Sequence, residues 1–159
     1  MSSDAAAVWT RPEVIAHTAL LLDSFQRLLG RPLHPCAGGP AERAACLYHA
    51  PLVVVSHTPV ADPILHYGNA AALALWEMDW DAFTRTPSRL TAEPDRREDR
   101  ARALAAVAAH GFLEGYSGVR ISSRGRRFHI EDGLIWNLTD AAGVFQGQAA
   151  TFTRWTALA

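Results

Sequence analysis

Apolar residues recur along this chain in two periods, and the change from one to the other divides it. Val14, Thr18, Leu21, Phe25 and Leu28 return at helical spacing, with Leu22 and Leu29 widening the stripe. Thr10-Arg11-Pro12-Glu13 has the form of a capping box, and Gly30-Arg31-Pro32 stops the pattern, which predicts an amphipathic helix of about five turns. Residues 34–43 are rich in Gly, Pro and Ala and read as a loop, with a short helical turn resuming near residues 44–49. The β-branched run at 52–57, between Pro51 and Pro59, reads as a buried strand, and Ile64-Leu65-His66-Tyr67 as a second. Asn69 is placed to cap a helix over 70–76, a further turn follows at 80–83, and Pro94 opens a helix that runs to about His110 and ends at Gly111.

The last third alternates with period two. Residues 115–123 read as a strand with Val119 and Ile121 on one face and Tyr116, Arg120 and Ser122 on the other. Arg124-Gly125 is suited to a hairpin loop. Phe128, Ile130, Leu134, Trp136 and Leu138 then alternate inward, with Asp132 the exception, and a last strand spans 144–155. Asp132 facing inward would supply acid–base chemistry to a small enzyme, whereas a β-bulge at Asp132-Gly133 would turn it outward, and the glycine favours the bulge. Sequential strands usually pair, so the order of elements predicts an α+β domain with an antiparallel sheet covered by helices.

Composition narrows the function classes. All 15 basic residues among the 159 are arginine, so lysine-based Schiff-base chemistry is excluded; 29 residues are alanine. The net charge of −1 argues against a nucleic-acid or anionic-membrane binder, and no apolar run is long enough to span a bilayer. With no leader-like start and only Cys36 and Cys46, the chain is expected to be cytoplasmic with free thiols. His34, Cys36, Cys46 and His49 are a zinc-type ligand set, but the His-x-Cys spacing is unusual and no metal is assigned. Gly115-Tyr-Ser-Gly118 lacks the second glycine position and following helix of a nucleophile elbow.

Several long motifs resemble the bacterial MEKHLA-domain proteins, a PAS-like family. They are Pro51-Leu-Val-Val-Val-Ser-His57, Ile64-Leu-His-Tyr-Gly-Asn-Ala-Ala-Ala-Leu-Ala-Leu-Trp76, Leu90-Thr-Ala-Glu-Pro-Asp-Arg-Arg97, Gly115-Tyr-Ser-Gly-Val-Arg-Ile-Ser122, and Ile135-Trp-Asn-Leu138 with Gly147-Gln-Ala149. The resemblance implies a five-stranded PAS-like sheet, with residues 1–46 as N-terminal helix and loop and 47–159 as the core of a single domain. A related plant domain closes homeodomain–leucine zipper transcription factors and is associated with sensing or dimerisation. The implied function is therefore a sensory or ligand-binding regulatory module, with an interaction domain as the ligand-free alternative. The expected partners are a small molecule and a second copy of the chain, the exposed-or-buried fate of the Leu21, Leu22, Phe25 and Leu28 stripe deciding the latter. No catalytic residue carries over and no cofactor is named. The residues expected to face a pocket are His57, Tyr67, Asn69, Trp76, Tyr116, Trp136 and Gln148. Arg96 and Arg97, in the charge-dense stretch 93–102, and Arg120 are the arginines suited to a carboxylate or phosphate.

Overall fold

A computed structural model of the chain describes residues 7–92 and 97–159, without the side chains of Arg97, Asp99, Arg100 and Leu104. Helix α1 (Pro12–Leu29) follows a 3-10 turn at Val8–Thr10 and starts one residue later than a Thr10 cap would place it. The Thr10 hydroxyl is occupied in the preceding turn, donating to the Ala7 carbonyl at 2.6 Å. Arg11 sits at the cap position, and Pro12, which has no N–H to satisfy, opens the helix. Gly30, in the left-handed region at φ 70°, ends it and donates its N–H to the Gln26 carbonyl.

Helix α2 (Pro40–Tyr48) begins four residues before the expected turn. Pro40 at the first position and the Glu42 carboxylate, which accepts from the Gly39 N–H at 2.7 Å, supply a helix start that the Gly/Pro-rich composition obscures. The two cysteines are not free thiols: Cys36 and Cys46 form a disulfide across a Cα separation of 5.7 Å. Helix α2 folds back along the 34–39 loop and brings the two side chains together.

Six antiparallel strands follow: β1 (Val53–His57), β2 (Leu65–Gly68), β3 (Phe112–Ile121), β4 (Arg127–Thr139), β5 (Phe145–Phe152) and β6 (Arg154–Ala157). Five run in the order β2-β1-β5-β4-β3. The expected last strand breaks at Thr153, so that β5 pairs with the second half of β4 and β6 with the first. Between β2 and β3 lie α3 (Ala70–Trp76), α4 (Trp80–Phe83), a 3-10 turn at Ser88–Thr91, and α5 (Arg97–His110). Gly147 lies where β5 meets β1: a Cβ there would run into the His57 carbonyl, and its φ of 128° suits glycine alone.

The sheet has a core on each face. On one, α1 and α2 bury Leu21, Phe25 and Leu47 against Val54, Leu134, Trp136 and Leu138. Trp136 is fully buried there, edge-on to Phe25 at 5.0 Å, with its indole N–H donating to Ser24 Oγ at 3.1 Å. On the other, Trp76 and Phe83 pack with Val53, Leu65, Phe128, Ile130 and Phe152.

The alternation along β4 therefore serves two faces rather than one. Asp132 has φ 55°, faces solvent 3.7 Å from Arg154, and forms the bulge that shifts the β3–β4 register. One extra residue reverses the parity, so Phe128 and Ile130 point to the α3 side and Leu134, Trp136 and Leu138 to the α1 side. This outward placement removes Asp132 from any inward acid–base role.

Candidate functional site

A cavity of about 60 Å³ lies between the sheet and the α3–α4 side. His57 of β1, Trp76 at the end of α3, Tyr116 and Arg120 of β3, and Gln148 of β5 line it, with Leu65, Phe83, Ile130 and Phe152 as apolar wall. Four of the seven residues expected to face a pocket, together with Arg120, are thus brought together from four elements.

Local structure aims each of them. Trp76 is held edge-on by Phe128 at 5.1 Å, Phe83 at 6.1 Å and Phe152 at 6.3 Å. The next residue, Glu77, adopts the left-handed conformation that ends α3 and ties the helix to the β3–β4 turn. Its carboxylate accepts from Ser122 Oγ at 2.6 Å and pairs with Arg126 at 3.4 Å, while its carbonyl accepts from Ser123 Oγ at 2.7 Å. The Trp76 indole is thereby fixed at the cavity wall, 3% exposed, and its N–H finds no acceptor among the described residues.

Arg120 and Tyr116 share a face of β3, as their spacing predicts. Arg120 Nη2 donates to the Tyr116 hydroxyl, Nη1 donates to the Val119 carbonyl at 2.9 Å, and the guanidinium lies 5.4 Å from the Tyr116 ring centre. Gly118 between them leaves the room the Tyr116 hydroxyl needs. Two strands away on β5, Gln148 donates to Asn137 Oδ1 of β4 at 3.1 Å, and Asn137 donates to the Val107 carbonyl of α5 at 3.0 Å.

The other expected pocket residues lie elsewhere. Tyr67 and Trp136 face the α1 side, Tyr67 stacked 5.6 Å from His17 and edge-on to Trp80. Burial in that core pushes the Tyr67 phenol well above its ordinary value. Asn69 is fully buried as a structural tie, described below. Arg96 lies outside the described residues, as does the side chain of Arg97, whose backbone begins α5. His34 does sit with Cys36 and Cys46, their ligand atoms within 4.8 Å of one another. A disulfide offers no thiolate to a metal, however, and His49 turns away, its Nδ1 2.9 Å from the Ala45 carbonyl and its ring against Trp9 at 4.4 Å.

One polar array has no counterpart in the sequence reading. On the α1 face, Ser56 Oγ lies 2.9 Å from His17 Nε2 and 2.8 Å from His66 Nδ1, and the two imidazoles meet edge-on at 4.4 Å. In the tautomer with its proton on Nε2, His66 faces the Gln146 carbonyl at 3.5 Å. His66 Nδ1 then accepts from the Ser56 hydroxyl, and His17 Nε2 donates to it. Burial, with His66 adjacent, pulls His17 down to about 3, and burial lowers His66 too, so both are neutral in the native state. These residues are spread over α1, β1 and β2, and no local spacing marks them.

Comparison with known proteins is consistent with this geometry. The family model for the MEKHLA domain matches residues 15–157. The PAS domain of a protein from Colwellia psychrerythraea superposes with a TM-score of 0.61 at 14% identity, over 69% of this chain and 91% of that one. A light-oxygen-voltage domain studied with a flavin analogue gives 0.57 at 14% identity, covering 73% of this chain and 84% of that one. An RNA-binding light-oxygen-voltage receptor gives 0.61 at 15% identity, over 75% of this chain but 36% of that longer one. No curated protein matches the chain. Among the described residues, no helix is long and apolar enough to cross a membrane.

Proposed function

Because the chain belongs to the MEKHLA-domain family and has a PAS-like fold, we propose that it is a sensory or regulatory module that holds a small molecule between its sheet and helices. The observation that carries this reading is the cavity lined by Trp76, whose buried indole N–H has no acceptor among the described residues. A buried donor without an acceptor costs about 1–3 kcal/mol, and a ligand oxygen would remove that cost. A cavity of about 60 Å³ takes a compound of a few non-hydrogen atoms, so the flavin associated with one structural neighbour is far too large for it. A ligand-free interaction domain would have a filled interior instead. The Leu21, Leu22 and Phe25 stripe of α1 is also buried within the protomer, which withdraws it as a contact for a second copy.

Thermal unfolding of the purified protein against a panel of small metabolites tests the proposal. A ligand at a hundred times its Kd stabilises by about 2.7 kcal/mol, a rise in Tm of roughly 5–11 °C for a domain of this size. Trp76→Phe keeps an aromatic side chain but removes the indole N–H along with part of the ring, and should weaken that ligand. No Tm rise with any compound, together with no small molecule released from the purified protein in native mass spectrometry, would overturn it.

A further inference from the structure

Arg120 is only 7% exposed and faces the cavity, yet its two hydrogen bonds go to neutral acceptors, the Val119 carbonyl and the Tyr116 hydroxyl. Guanidinium stays protonated throughout the range in which proteins fold, and a buried charge normally brings a counter-charge with it. Several arginines near the surface of this molecule have one. Arg31, Arg43, Arg89, Arg126 and Arg154 each lie within 4.0 Å of a carboxylate. Among the described residues, the buried Arg120 has none. The cation–π contact with Tyr116 holds the guanidinium plane, and two bonds leave N–H groups of its fork for a further acceptor.

We infer that the cavity takes a small organic monocarboxylate, whose oxygens meet the Arg120 guanidinium and whose short carbon chain lies against Leu65, Phe83, Ile130 and Phe152. This inference rests on the ligand-binding reading above and specifies its chemical class. Trp76, which lines the same cavity and has a buried indole N–H without an acceptor among the described residues, is a second donor for a ligand oxygen. The wall is mainly apolar with one guanidinium, which matches one negative charge carried on an apolar body. A phosphate carries nearly two charges, and the wall offers one guanidinium to balance them.

The experiment pairs each carboxylate with its neutral isostere. Acetate, propionate, butyrate, pentanoate and pyruvate are titrated against the full chain at pH 7.5 in low-chloride buffer. Their primary amides and inorganic phosphate are titrated alongside, with binding read by calorimetry and by Tm. At least one carboxylate should bind at least tenfold more tightly than its amide. Arg120→Gln should lower carboxylate affinity at least tenfold and amide affinity by much less, and Arg120→Lys should recover part of the loss. Circular dichroism confirms that each variant folds, and the wild-type preference for acid over amide is informative without any variant. Amides binding as tightly as acids, phosphate binding in place of carboxylates, or an unaltered carboxylate affinity in folded Arg120→Gln would overturn the inference while leaving a ligand pocket standing. Binding by none of these probes would overturn it as well. The metabolite panel and native mass spectrometry then decide the pocket separately.

Discussion

Asn69 joins three segments through one amide group. Its Oδ1 accepts from Val54 N at 3.1 Å and Ala72 N at 3.2 Å, and its Nδ2 donates to the carbonyls of Leu47 at 3.2 Å and Leu52 at 2.7 Å. Asn69→Ala deletes a helix cap worth about 1 kcal/mol and leaves buried backbone groups unmatched at about 1–3 kcal/mol each. The urea midpoint should fall by an amount equivalent to roughly 3–5 kcal/mol. Asn69→Asp should also destabilise, because a carboxylate cannot donate to the two carbonyls. The cap itself is legible from Asn69 standing just before an Ala/Leu helix. The bonds to Leu47 and Leu52 are not, because nothing local says that the end of α2 will lie beside β1. The cavity shows the same division. Tyr116 and Arg120 follow from strand parity, whereas Trp136 departs from the expected pocket because a single bulge reverses the parity of everything beyond it.

At the scale of elements, hydrophobic period identifies α1, β1, α3 and the β3–β5 meander, since each buries a continuous face. It fails for the start of α2, where Gly and Pro dominate and the helix is set by Pro40 and Glu42. It also fails for the disulfide. Ten positions separate Cys36 from Cys46, and only the return of α2 along the preceding loop brings them within bonding reach. That cross-link restrains the unfolded chain. In the loop-entropy account, closing about ten residues contributes about 3 kcal/mol. Reduction with a phosphine should therefore lower the Tm by roughly 6–12 °C, and Cys36→Ser/Cys46→Ser should match the reduced wild type. Equal Tm values before and after reduction would show that the bridge does not restrain the fold.

For the molecule as a whole, the two buried histidines set an acid limit. Both titrate below their ordinary value of 6.5 when folded, His17 at about 3, so the unfolded chain takes up their protons first as pH falls. Stability from these groups is complete above about pH 6.5 and is lost on acidification toward the folded values. Each contributes a slope of up to about 1.4 kcal/mol per pH unit. Denaturation midpoints measured between pH 7 and pH 5 should fall, and His17→Gln, which keeps a donor near Ser56, should flatten that fall. A wild-type midpoint that does not change over this range would contradict the buried neutral array.

The pairing of β1 with β5 joins residues more than 90 positions apart, such as Val53 with Phe152, at the centre of the sheet. Folding kinetics follow from that. The β1–β2 pair and the β3–β4 hairpin can form from near neighbours, but joining them closes a long loop, and contacts of such separation are slow to form. On the ribosome, β1 keeps one bare edge until residues 145–152 have emerged, an open template for pairing with another chain. A nascent chain stopped before β5 therefore exposes edges on both halves of the unfinished sheet, and completion of the domain is timed by synthesis of this one late strand.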